Sequence, residues 1–196
     1  MMRIGILVVA AFTLLPSRVD LISSQSGPPG QMVPPQAMNL YANWKDGETW
    51  SRYIEATRES EIGLGLHPTG PSGTMLLAFF ARWDGRTAKG APKEIFAQAA
   101  IPPLLNPTVL RTASLSFVVN PGKKEMAVFD ISGRLLVNDN SPGGIVSSGV
   151  GRVEPKEMAA IAQATALTGN VFNIEVEFSQ AQRQAIRTFG QKIAGK

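Results

Sequence analysis

The chain has 196 residues, 44% of them hydrophobic, with 19 Lys and Arg against 15 Asp and Glu for a formal net charge of +4. That length and composition suit one globular core. With no cysteine and a single histidine, the chain excludes disulfides, thiolate nucleophiles, cysteine-ligated zinc, iron–sulfur clusters and histidine-rich metal sites. No basic run exceeds Lys123-Lys124, so the charge predicts attraction to anionic surfaces rather than a nucleic-acid partner.

Residues 1–26 have the pattern of a signal peptide. Arg3 is followed by an uncharged apolar run, residues 4–15 (IGILVVAAFTLL), too short to span a bilayer as a helix, and Pro16 ends it. Ser24-Gln25-Ser26 is the best small-x-small cleavage site, with the bond after Ser17 as an alternative. The competing reading is a buried N-terminal helix. A Pro/Gly-rich linker follows over residues 27–37, and one β-rich domain is expected over 38–196. An exported chain without cysteine suits a periplasm or a secreted fraction.

Residues 40–44 predict a strand that ends at the Asp46-Gly47 turn. Trp50, Tyr53, Ile54 and Thr57 then fall at helical spacing behind Thr49 as a cap, which predicts a short helix over a hairpin strand. Ile62, Leu64 and Leu66 alternate with Gly63, Gly65 and His67, a strand. GLGLHPTGPSG (residues 63–73) leads from it into the apolar run 74–83. That loop joins strand to strand and matches no phosphate-binding spacing, so it is expected to be a turn rather than a phosphate cradle. Residues 93–100 (KEIFAQAA) predict a helix. Strands are expected at 112–119 and 126–131, with a short one at 135–137 and an irregular edge strand at 145–153. Glu154-Pro155 starts a helix with Met158, Ile161, Ala162 and Thr165 inward, closed at Thr168-Gly169. Residues 170–178 read as one strand with Phe172, Ile174, Val176 and Phe178 on its buried face. Ser179 caps a last helix with Ala185, Ile186, Phe189 and Ile193 inward and Arg183, Arg187, Lys192 and Lys196 outward. The fold class expected is α+β and β-rich: an antiparallel sheet or sandwich-like single domain with short helices and a C-terminal helix.

Few residues suggest chemistry. Glu175 and Glu177 project from one strand face about 7 Å apart, the spacing of a glycosidase carboxylate pair, but the strict alternation supports a solvated polar face of a half-buried strand instead. His67 falls at a strand end and reads as a solvated or loop-bonded side chain. Asp130, Asp139 and Asn140 lack EF-hand spacing and read as turn residues, and Ser147-Ser148-Gly149 lacks the nucleophile-elbow pattern. Neither a metal nor a cofactor is expected. Trp44, Trp50, Tyr53 and Trp83 read first as core aromatics; a partly exposed cluster of them beside Arg52 and Arg82 is the candidate binding face, suited to a sugar or a protein.

Asn43-Trp44, a strand at 126–131, a helix closed by glycine at 155–169, a strand at 170–178 and the terminal Thr188-Phe189-Gly190 together resemble the invasion-associated locus B family of small periplasmic bacterial proteins. Members carry paired cysteines around the strand before the helix, which this chain lacks. The resemblance implies a non-enzymatic envelope protein, linked in some members to host-cell colonisation, with no catalytic residue to carry over. The function expected is an exported, non-enzymatic envelope-associated or secreted binding or accessory protein. Its partner would be a protein or an anionic envelope component, and it would not be an integral membrane protein. The alternative is an exported hydrolase using Glu175 and Glu177.

Overall fold

Two six-stranded antiparallel sheets face one another across a shared core. The computed structural model describes residues 45–71, 73–100, 114–138 and 148–195, all within one compact unit. Trp44, the signal-like segment, the linker, the strand expected at 40–44 and the Asp139-Asn140 turn lie outside the described residues.

The first sheet begins as a hairpin of β1 (Thr49–Ile54) and β2 (Glu59–Leu66) and continues with β5 (Leu76–Asp84) and β6 (Glu94–Ala100). It ends with β10 (Ser148–Arg152) and β9 (Leu135–Asn138), in the order β1-β2-β5-β6-β10-β9. The second sheet contains the two-residue strands β3 (Thr69–Gly70) and β4 (Gly73–Thr74), then β12 (Ile174–Glu177), β11 (Leu167–Val171), β7 (Leu115–Val119) and β8 (Ala127–Asp130).

The Gly-rich loop is a crossover between the sheets. After β2 the chain leaves the first sheet, forms the β3–β4 hairpin against β12 through Thr69 and Glu177, and returns as β5. Gly70 is required there, because a Cβ would overlap the carbonyl oxygen of Glu175.

Four expectations are corrected. Residues 49–54 are strand rather than helix: they pair residue for residue with β2, from Thr49 opposite Leu64 to Ile54 opposite Glu59. Residues 94–100 are strand as well, despite helix-forming Ala, Glu and Gln, because β5 and β10 hydrogen-bond to both edges and both faces are buried. β10 is interior, not an edge, since β9 pairs beyond it. Gly149 and Gly151 admit Leu135 against its backbone, where added Cβ atoms would lie 3.6 and 3.1 Å from that side chain.

The fourth correction concerns residues 164–178. The helix α1 (Pro155–Gln163) stops at Ala164, and Thr168-Gly169 belong to β11. Residues 170–178 are two strands around a turn at Phe172-Asn173, with φ of 52° and 66°. Phenylalanine is a costly residue in that conformation. Here its ring is fully buried, its amide donates to the Ser114 carbonyl (2.7 Å), and the Asn173 amide donates to Ser114 Oγ (2.8 Å). The expected burial alternation holds across the turn: Phe172, Ile174, Val176 and Phe178 are buried, and Asn173, Glu175 and Glu177 are exposed.

Helix α1 opens with a capping box formed by Glu154 and Glu157. Helix α2 (Gln180–Ile193) opens with a second, in which Ser179 Oγ accepts from the Gln182 amide. It buries Gln182, Ile186, Phe189 and Ile193 and has no acidic residue in its first turn. The helices meet at Gly190, where an added Cβ would come within 2.5 Å of Ala162 Cβ. Phe79 from the first sheet and Phe117 from the second meet at 5.4 Å between ring centres, and Phe178 lies 6.3 Å from Phe117. No helix among the described residues is long and apolar enough to cross a membrane.

Candidate functional site

The predicted aromatic face does not assemble as a unit. Trp50 and Arg52 share the outer face of β1, whereas Trp83 points into the core and donates its indole N–H to the Gly90 carbonyl (3.0 Å). Tyr53 lies on the other side of β1, beneath the guanidinium of Arg86 at 4.6 Å. The Trp50 indole crosses the backbone of β2 at Gly63, where any Cβ would overlap the ring.

Beside Trp50 the sheet register builds a row of alternating charge. Arg52 stands opposite Glu61, Glu61 opposite Arg82, and Arg82 opposite Glu94. Glu61 is 1% exposed and accepts from Arg52 Nε (2.8 Å), Arg82 Nε (3.1 Å) and Trp50 Nε1 (3.2 Å). Arg82 also lies 5.4 Å above both Phe80 and Phe96, which stack on each other at 5.1 Å. At the ends of this row Lys93 pairs with Glu59 (2.9 Å) and Asp84 (3.1 Å), and Arg152 pairs with Glu94. Four cations (Arg52, Arg82, Lys93, Arg152) thus meet four carboxylates (Glu59, Glu61, Asp84, Glu94). The face is electrically balanced within itself, which makes it a staple across five strands rather than a receptor for charge.

The other candidates are equally accounted for. Glu175 and Glu177 stand on the exposed face of β12 beside Asn170 and Thr168 of β11. His67 contributes its backbone: its amide donates to Asp46 Oδ1 (2.8 Å), and Gln182 Nε2 binds the same carboxylate at 3.1 and 2.9 Å, tying α2 to the end of β2. Ser148 is buried in β10. Hydrogen bonds from Ser132 hold the Asp130 carboxyl below its usual range. Burial is the largest single influence on Glu157 and works against its charge, but the paired hydrogen bonds from Arg134 (3.0 and 2.9 Å), the Glu154 amide and the nearby positive charges together outweigh it and hold that carboxyl low as well. Both shifts favour carboxylates that stay ionised, the reverse of what a general acid at neutral pH needs. Among the described residues no group of three His, Cys, Asp or Glu is placed to hold a metal ion.

Sequence reading missed a cleft of about 750 Å³ alongside the first turns of α2. Thr165, Ser179, Gln180, Arg183, Gln184 and Arg187 line it. Arg183 is steadied by the Phe178 carbonyl and Arg187 by Gln184 Oε1 (3.1 Å). Lys123, from the turn between β7 and β8, donates to Thr165 Oγ1 at 2.8 Å. That hydroxyl is itself fixed by Asn120 Oδ1 (2.9 Å). Among the described residues no carboxylate lies within ion-pair distance of Lys123, Arg183 or Arg187. Every cation of the first-sheet row, by contrast, has one. A smaller apolar groove of about 430 Å³ is lined by Pro92 and Ile95, by Pro155 and Met158 of α1 and by Ile193 at the end of α2.

Comparison with protein-family models, with curated proteins and with solved structures returns no match.

Proposed function

We propose that this chain is an exported, non-enzymatic binding protein of the cell envelope or of the secreted fraction, with an anionic envelope component as its partner. The observation that carries the reading is the distribution of charge. Buried carboxylates such as Glu59 and Glu61 are neutralised by arginine and lysine, and Glu175 and Glu177 stand in open water. Meanwhile the cleft on α2 gathers cations with no carboxylate of their own among the described residues. The export half of the proposal rests on Arg3, the apolar run 4–15 and the Pro/Gly tract that follows. Membership of the invasion-associated locus B family is part of the same proposal.

The hydrolase alternative asks Glu175 or Glu177 to act as a proton donor at neutral pH, which requires desolvation or a close like charge. Both side chains are exposed on a sheet face, and that exposure favours the binding reading.

Export is tested by fractionating cells that express the full chain and mapping the N-terminus of the recovered protein by mass spectrometry. Cleavage between Ser17 and Gly27 in a periplasmic or supernatant fraction is the expected result. An intact Met1 confined to the cytoplasm overturns the proposal.

A further inference from the structure

We infer that the cleft beside α2 binds a phosphate group, presented either by a soluble phosphate or diphosphate or by the headgroup of an anionic lipid. The inference rests on the binding reading above and deepens it. Arg183 and Arg187 stand four residues apart on one helix, so both emerge on the same side. A guanidinium offers five N–H donors, and each of these two uses only a neutral oxygen for anchorage, the Phe178 carbonyl and Gln184 Oε1. The anchors orient the planar groups without neutralising them, so the remaining donors keep a full positive charge to offer.

Lys123 supplies the third cation. It comes from the β7–β8 turn of the second sheet and is held at the edge of the cleft by donating to Thr165 Oγ1, whose proton goes to Asn120 Oδ1. Two arginines line one concavity and a lysine is bonded to the threonine at its edge, with no carboxylate among the described residues paired to them, whereas the first-sheet row pairs its cations with carboxylates. No described residue supplies the counter-charge, and an external anion is the partner we infer. A carboxylate ligand would bring one unit of charge and two oxygens. A phosphate brings three oxygens and up to two charges, which suits two guanidinium forks and an ammonium.

The experiment uses the full chain at low ionic strength and two probes: inorganic pyrophosphate by titration calorimetry, and co-sedimentation with phosphatidylcholine vesicles with and without phosphatidate. The variants are Arg183→Gln, Arg187→Gln and the double replacement, with Lys89→Gln as a control of equal charge change elsewhere. All four alter exposed or half-buried side chains, and unchanged thermal unfolding checks that each is folded. The expected result is binding to at least one probe, weakened about tenfold by each arginine replacement and about a hundredfold by both, with the control within twofold of the parent. Pyrophosphate binding names a soluble phosphate as the ligand; binding confined to phosphatidate vesicles names a lipid headgroup. Two results overturn the inference: no binding of either probe, or equal weakening by Lys89→Gln, which means attraction by net charge alone. An intact cytoplasmic N-terminus would sink the export proposal and leave this measurement standing, so the two fail separately.

Discussion

Replacing Glu61 by alanine is expected to lower the stability of the fold by about 3–5 kcal/mol, the cost of leaving buried charge without its partner. Glu61 is 1% exposed and serves three donors at once, from Arg52, Arg82 and the Trp50 indole. Its loss leaves the Arg82 guanidinium, with a side chain only 11% exposed, against the rings of Phe80 and Phe96 and, among the described residues, with only Glu59 at 4.0 Å as counter-charge. Domains of this size are stable by about 5–15 kcal/mol, so the variant would sit close to unfolding. Glu61→Gln keeps an acceptor oxygen and should fall between alanine and the parent. Urea unfolding followed by circular dichroism measures all three. A loss below about 1 kcal/mol for alanine would mean that water, not Glu61, satisfies both arginines.

Phe117→Ala should cost a similar amount, about 3–5 kcal/mol, through a different mechanism. The Phe117 ring is fully buried and contacts Phe79 of the opposite sheet and Phe178 at the base of α2. Removing it opens a cavity at the seam where two rigid sheets meet, and hydrogen-bonded sheets collapse poorly into such a void. Phe117→Leu, which fills part of the space, should lose clearly less. The same urea experiment decides the matter: equal, small losses for both variants would show that the sheets are not held through this ring.

The parts of the fold legible in the sequence are those where one face is buried and the other is wet. Ile62, Leu64 and Leu66, then Leu115, Phe117 and Val119, and then Ile186, Phe189 and Ile193 announce their period because water sits opposite them or glycine separates them. Residues 94–100 defeat that logic. Both faces are covered, and alanine and glutamine carry no strand preference, so the deciding hydrogen bonds come from β5 and β10 rather than from local sequence. Residues 49–54 mislead for another reason. Trp50 and Tyr53 occupy opposite faces of a strand, yet their spacing also fits one side of a helix.

The site was less legible than the fold. Glu59 and Glu61 look like the solvent side of a strand until the register brings Arg52 and Arg82 opposite Glu61. Those partners lie 9 and 21 residues away in the chain. The cleft draws Lys123 from a β-turn, Thr165 from the connection after α1 and Arg183 with Arg187 from α2, so no window of sequence contains it. One local signal was available. α2 places Arg183, Arg187 and Lys192 on its outer side without a single acid in its 14 residues, an imbalance that marks this helix as the cationic edge of the fold.

Hydrogen–deuterium exchange of the full chain, alone and bound to the envelope fraction of the cells that make it, tests the central claim most directly. The account predicts new protection at Thr165 and across residues 179–187, with β1 and β12 unchanged. Protection confined to the Glu175–Glu177 face or to the Trp50 strand, with the α2 cleft unaffected, would contradict it.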